Sequence, residues 1–123
     1  MRFLLISDTH GRLGVINELA DRVRADAVIH AGDFGFFDDG SYERLSDREL
    51  HLHVAHSDLP RTERDRILAL SRNVMIRTAR EHHLLGAFQS FLEGVESFHA
   101  PVYAVWGNHE DKEVVERLFH GDV

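Results

Sequence analysis

The sequence predicts an α/β fold, in which three parallel strands form the first part of a sheet and a helical insertion separates the second strand from the third. Three observations support this fold. Apolar runs occupy residues 2–7, 27–32 and 101–106, a helical repeat of apolar residues joins the first two runs, and a charged, His-rich stretch precedes the third. Such continuous runs are typical of strands that are buried on both faces of a parallel sheet.

The segment between the first two strands has the spacing of an amphipathic helix. Within residues 13–24 the apolar positions that recur at helical intervals are Leu13, Ile16, Leu19, Ala20 and Val23. A strand, helix and strand in this order form a right-handed crossover between parallel strands. A last amphipathic helix is predicted over residues 111–119, after the third strand.

Residues 40–99 are predicted to form a helical insertion or cap. Pro60 is expected to end its first helix or turn, because proline lacks the amide proton that a helix interior needs. Thr62 is expected to be the N-cap of a long helical stretch. Gly86 and Gly94 are expected to interrupt that stretch, since glycine is a poor helix former.

Length and composition fit one small globular domain that spans residues 1–123. The net charge of −7 disfavours a nucleic-acid partner. No apolar run is long enough to span a membrane, and the first residues lack the pattern of a signal peptide, so we expect a cytoplasmic protein without a membrane partner. With 0 cysteines, thiolate metal sites and disulfides are excluded.

Each predicted strand ends in polar residues with ligand or proton chemistry. The first strand leads into SDTHG, the second into HAGDFG and the third into VWGNHE. In an open parallel sheet, the loops at the carboxyl ends of neighbouring strands converge on one ligand site. We therefore expect five side chains to meet there, namely Asp8, His10, Asp33, Asn108 and His109.

The residue types in these loops suit a divalent metal. Asp8 and His10 are two residues apart, so an extended backbone would point both side chains the same way. A carboxylate and an imidazole together favour a transition metal, and the two oxygens of Asp33 can bridge two ions. Asn108 offers an amide oxygen, and His109 can exchange a proton near neutral pH.

Glycines precede two of these residues. Gly32 and Gly107 allow a sharp turn and a close approach of an ion or a phosphate. Taken singly, each loop also fits a purely structural role as a helix cap or a turn. Three such loops at three successive strand ends favour a metal site instead.

The ordered motifs D-x-H, G-D and G-N-H-[DE] resemble the calcineurin-like metallophosphoesterase superfamily. The resemblance implies an α/β sandwich that hydrolyses phosphate mono- or diesters at a dinuclear centre of Mn, Fe, Zn or Ni ions. It implies that Asp8 and His10 hold one ion, that Asp33 bridges both, and that Asn108 binds the second ion and the substrate phosphate. His109 would be the general acid for the leaving oxygen or would stabilise the phosphorane-like charge.

Three further residues would support these roles. Gly32 and Gly107 would shape the loops, and Glu110 would be a partner of His109. Glu110 has an equally good alternative role as a carboxylate at the start of the last helix, where it would interact favourably with the helix dipole.

The sequence departs from the family pattern after Glu110. No G-H-x-H motif follows, so the second ion would have only Asp33 and Asn108 as ligands. We therefore expect the chain to be the N-terminal part of a longer enzyme, with one sheet face uncovered and the missing ligands supplied by a C-terminal segment or a partner chain. The His-rich segment that contains His51, His53 and His56 has the pattern of a solvated helix face rather than of substitute ligands.

The substrate is expected to be a phosphate-ester small molecule or a nucleotide. The segment GDFGFFDDG lacks the arginine found there in Ser/Thr protein phosphatases, which disfavours that subgroup. A second hypothesis is a non-catalytic metal-binding or protein-interaction module derived from a metallophosphoesterase. A third, weaker hypothesis is a mononucleotide-binding unit in which DTHGRLG holds a phosphate at a helix N-terminus.

Overall fold

A three-stranded parallel sheet organises the chain, and its strand order is the sequence order. The computed structural model describes residues 1–120. The strands are β1 (Phe3–Ile6), β2 (Ala27–His30) and β3 (Val102–Ala104). Leu5 pairs with Ile29, and Ile29 in turn pairs with Tyr103, so the strands share one register across the sheet. The predicted parallel α/β fold is confirmed.

Two helices contribute to the core on the buried face of the sheet. Helix α1 (Gly14–Val23) joins β1 to β2 and ends at Arg24, whose left-handed backbone (φ 54°) terminates it. Helix α7 (Lys112–Phe119) follows β3 and is capped by the Asp111 carboxylate, which accepts a hydrogen bond from the Glu113 amide at 3.1 Å. The buried core residues of this unit are Leu13, Ile16, Ala20, Val28, Phe34, Phe88 and Val114.

The helices between β2 and β3 divide between two compact units. The second unit covers residues 38–85, whereas residues 1–37 and the chain from Gly86 onward form the first. The second unit contains α2 (Ser41–Arg44), α3 (Asp47–Ala55), α4 (Arg61–Leu68) and α5 (Arg72–Glu81), while α6 (Phe88–Leu92) belongs to the first.

Ion pairs and a local apolar core stabilise the second unit. Arg80 contacts the carboxylates of Asp39 and Glu43 at 3.3 and 2.6 Å and also lies over the ring of Tyr42. Leu50, Val54, Ile67, Met75 and Ala79 are buried here. The predicted N-cap at Thr62 is wrong: the N-cap is Pro60 and α4 begins at Arg61. Proline suits the start of a helix, where its missing amide proton costs nothing.

One face of the sheet is uncovered. Strand alternation places Leu5, Ile29 and Tyr103 on one face, where they are 73, 41 and 65% exposed, with Phe3 beside them. Residues of the opposite face, such as Val28 and His30, are buried. The uncovered face that the sequence predicted is therefore present in the described residues. Within residues 1–120, no helix is long and apolar enough to cross a membrane.

Candidate metal centre

Backbone pairing continues beyond the ends of β1 and β2 into the two loops that carry candidate ligands. The amides of Asp8, His10 and Gly11 donate to the carbonyl oxygens of Gly32, Asp33 and Phe34, each at 2.9 Å. These bonds hold the D-x-H loop and the G-D loop side by side. The Gly11 amide is engaged by the Phe34 carbonyl and is therefore not available to bind a phosphate.

All three carboxylate and imidazole candidates in these loops have a left-handed backbone. The φ angles of Asp8, His10 and Asp33 are 57°, 47° and 52°. The expected extended conformation of Asp8 and His10 is therefore wrong, although their side chains do meet. Non-glycine residues adopt this conformation at a cost of about 1–3 kcal/mol each, and such strain clusters at functional sites.

Helix ends account for the other left-handed non-glycine residues that the structure describes. Arg24 is the C-cap of α1, and His83 follows the C-cap of α5. Left-handed residues at helix ends are ordinary, because they terminate the helix. No helix ends at Asp8, His10 or Asp33, so their conformation serves the loops themselves.

The side chains of Asp8, His10 and Asp33 converge at one point. They offer ligand atoms that all lie within 4.8 Å of one another, and they form the one such group of three or more histidine and acidic residues within residues 1–120. His10 Nε2 lies 3.6 Å from Asp8 Oδ1. One imidazole and two carboxylates are donors that suit Mn, Fe, Zn or Ni. The donor chemistry therefore fits one divalent ion.

Local hydrogen bonding favours the ionised form of Asp8. The Ser7 hydroxyl donates to Asp8 Oδ2 at 2.6 Å and is the largest cause that holds the pKa of Asp8 below its usual value. The nearby His10 lowers the pKa of Asp8 further. A carboxylate with a lowered pKa is ready to bind a cation at neutral pH.

The third loop brings His109 to the same place. The His109 amide donates to Asp33 Oδ1 at 3.3 Å, and the ring centroids of His109 and His10 are 6.3 Å apart. Asn108 lies between Gly107 and His109 and is exposed. Within residues 1–120 the Asn108 side chain makes no hydrogen bond.

Both predicted glycines are needed by the loop geometry. Gly32 has a φ of 127°, which side chains rarely adopt. A Cβ atom on Gly107 would overlap Asp33 Oδ1 and would lie 2.7 Å from the Asp33 amide nitrogen. Gly107 therefore allows the third loop to approach Asp33 closely.

Glu110 contacts backbone amides and not the His109 ring. Its carboxylate is buried, and it accepts hydrogen bonds from the amides of Phe34, Gly35 and Phe36 at 3.1, 2.9 and 3.1 Å. The expected partnership with the His109 ring is absent from the described residues. The N-cap of the last helix is Asp111, the residue after Glu110.

A second buried contact between loops joins Thr9 to His30, a histidine whose place inside the second strand predicts a hydrogen-bonded core or near-site residue. The Gly32 amide donates to His30 Nδ1 at 3.2 Å, so the proton of the ring is on Nε2, which lies 3.0 Å from Thr9 Oγ1. The Thr9 hydroxyl donates to the Phe34 carbonyl at 2.8 Å. Burial is the largest cause that lowers the pKa of His30, which favours this neutral form. Alternation along β2 places His30 on the same buried face as Val28.

Comparison with known proteins gives one match. The family model described as calcineurin-like phosphoesterase matches residues 1–122. No curated protein and no solved structure matches the chain significantly. The match extends over all three loops of the candidate centre and over the segment between them.

Replacing Gly107 with alanine is expected to disrupt the centre, because the added methyl group would overlap the Asp33 carboxylate. We expect Gly107→Ala to lower the free energy of unfolding by about 1–3 kcal/mol and to weaken Mn²⁺ binding. Gly14→Ala is a matched control, since nothing lies within 4 Å of its Cβ position at the start of α1. Urea unfolding and Mn²⁺ titration of both variants would check this, and equal Mn²⁺ affinities would contradict it.

Acidification is expected to destabilise the fold through His30. The pKa of His30 is lowered in the folded state, so between that lowered pKa and about pH 6.5 the unfolded chain binds a proton that the folded chain does not. The contribution of His30 to stability is therefore present above that pH and is lost as the pH falls from there toward the lowered folded-state pKa. His30→Gln keeps a donor and an acceptor but does not titrate.

The free energy of unfolding in urea, measured for both proteins between about pH 8 and about pH 5, tests this contribution on either side of the ordinary histidine pKa. The difference in the free energy of unfolding between wild type and His30→Gln should shrink as the pH falls. The other histidines are common to both proteins and cancel in this comparison. A difference that stays constant with pH would contradict the assignment.

Proposed function

The chain belongs to the calcineurin-like phosphoesterase family, and from that membership we propose that it carries the metal centre of a phosphate mono- or diesterase. The observation that carries the proposal is the convergence of Asp8, His10 and Asp33, whose ligand atoms lie within 4.8 Å of one another. Their strained backbone supports a functional role, because the fold keeps three costly conformations at one point.

Different candidate residues would bind the metal ions and the phosphate. Asp8, His10 and Asp33 would hold one divalent ion, and Asp33 with Asn108 would contribute to a second. When bound, Mn, Fe, Zn or Ni ions neutralise the charge on a phosphate and lower the pKa of water. The exposed amide of Asn108 is free to turn toward a phosphate oxygen of a small-molecule ester or a nucleotide.

His109 would supply the proton for the leaving group. Its amide is tied to Asp33 while its ring is exposed beside His10, so a ring nitrogen can face a bound ester. General acid catalysis requires a donor within hydrogen-bond reach of the leaving oxygen. The exposed ring meets the first condition for this role, which is access to the substrate.

We propose that a further segment or a partner chain completes the centre. Asp33 and Asn108 would give a second ion two protein ligands, which hold an ion weakly. The apolar row formed by Leu5, Ile29 and Tyr103 is exposed on the adjoining sheet. Exposed apolar rows of this kind mark surfaces that another protein layer covers. One added layer could supply both the missing ligands and the cover.

Hydrolysis of p-nitrophenyl phosphate and of its bis-ester tests the activity with Mn²⁺, Ni²⁺, Zn²⁺ or Fe²⁺ present. We expect Asp33→Asn to lose both metal binding and hydrolysis, because the bridging carboxylate is removed. His109→Ala should retain the metal and lower kcat by about 10²–10⁴-fold. His120→Ala, an exposed histidine at the end of α7, is the matched control and should leave both unchanged. Metal-dependent hydrolysis that survives in Asp33→Asn and in His109→Ala would overturn the assignment.

The exposed sheet face favours a second candidate function, a non-catalytic interaction module. In that case the chain would bind a partner through the row of Leu5, Ile29 and Tyr103 and would not hydrolyse either ester with any metal. Metal-dependent turnover distinguishes the enzyme from the module. The enzyme is the better supported of the two, because an interaction surface gives no reason for three strained ligand residues at one point.

A further inference from the structure

Glu110 is a buried acidic side chain that has no basic partner within residues 1–120. It is 6% exposed, and its hydrogen bonds are with backbone amides of residues 34–36, with a longer contact of 3.5 Å from the Gly107 amide. A buried carboxylate is costly unless several donors satisfy it. Three successive amides that point at one acceptor form an anion-binding nest, and they offset this cost.

The nest and the carboxylate belong to different loops of the metal centre. The amides of Phe34, Gly35 and Phe36 come directly after Asp33, whereas Glu110 comes directly after His109. The carboxylate therefore ties the loop after β2 to the loop after β3. In each of these two loops, a candidate site residue immediately precedes the residues that form these hydrogen bonds.

The loop after β1 is held against the same segment. A Cβ atom on Gly35 would overlap Gly11 and would lie 2.8 Å from the carbonyl carbon of His10. Gly35 also has a φ of 103°. The position of residues 34–36 thus sets where the D-x-H loop and Asp33 lie, so an anchor on this segment acts on all three ligands.

We propose that Glu110 is a positioning residue of the metal centre, which acts through the backbone of residues 34–36 and not through the His109 ring. This role rests on the metal-binding function proposed above. Hydrogen bonds from amides to a carboxylate are about twice as strong as those to a neutral acceptor. The charge and length of Glu110 fix the segment after Asp33 and thereby hold the Asp33 carboxylate against Asp8 and His10.

Two substitutions at Glu110 test the charge of the side chain and its length separately. Glu110→Gln keeps the length but turns an amide group with two N–H donors toward a nest of donors, so at least one hydrogen bond is lost. Glu110→Asp keeps the charge but is shorter by one methylene, so it cannot reach all three amides. Both variants should displace the segment after Asp33.

Asp111→Ala is the matched control. Asp111 is the neighbouring buried acid, and its carboxylate caps α7. Loss of this cap should lower the free energy of unfolding by about 1 kcal/mol. It therefore mimics any general destabilisation without releasing the amides of residues 34–36.

Mn²⁺ binding, measured by the loss of the free-ion electron paramagnetic resonance signal, is the primary readout, together with thermal unfolding. We expect Glu110→Gln and Glu110→Asp to weaken Mn²⁺ binding by about 10–100-fold, the range typical for groups that orient metal ligands. Asp111→Ala should unfold at a lower temperature and bind Mn²⁺ as wild type does. Glu110 variants that are destabilised but bind Mn²⁺ with wild-type affinity would overturn the positioning role alone.

A wild-type measurement keeps the proposal testable if the Glu110 variants do not fold. Hydrogen exchange in the wild-type chain should show the amides of residues 34–36 protected, and more strongly so with Mn²⁺ bound. Rapid exchange of these amides in the folded chain would overturn the role of Glu110. Absence of Mn²⁺ binding by the wild-type chain, with the amides protected, would instead overturn the proposed function on which the role rests.

Discussion

The backbone pairing that runs past the ends of β1 and β2 is the constraint on which the candidate centre depends. The amides of Asp8, His10 and Gly11 each bond to a carbonyl of the neighbouring loop, so these loops have lost the freedom of ordinary surface loops. The left-handed turns at Asp8, His10 and Asp33 bring both carboxylates and the imidazole to one point. Hydrogen bonds of the paired loops offset the cost of those turns.

Electrostatics explains why such an arrangement fits a cation. Two carboxylates whose oxygens lie within 4.8 Å of each other repel in the ionised state, and His10 offsets this repulsion only when it is protonated. A divalent ion removes the repulsion and uses all three donors. The net charge of −7 is consistent with this, because bound ions invert the local field that a phosphate ester meets.

Sequence pattern predicted the strands and the meeting of the loops, since apolar runs mark β1, β2 and β3 and parallel strands bring their carboxyl ends together. The left-handed turns were not predictable from residue spacing, because they depend on which carbonyl each loop amide finds. The nest around Glu110 was not predicted for the same reason. A glutamate after a histidine does not reveal that three backbone amides of another loop will donate to it. The N-cap of α4 was misplaced because threonine is a favoured cap, whereas Pro60 takes that position here.

Diffraction from a crystal of the chain soaked in Mn²⁺, with data collected to record manganese anomalous scattering, would test the central claim most directly. The account predicts an anomalous peak bounded by the side chains of Asp8, His10 and Asp33, with the His109 ring beside it. A peak at another histidine cluster, such as the one around His51 and His53, would contradict the account. So would the absence of any peak at the strand ends.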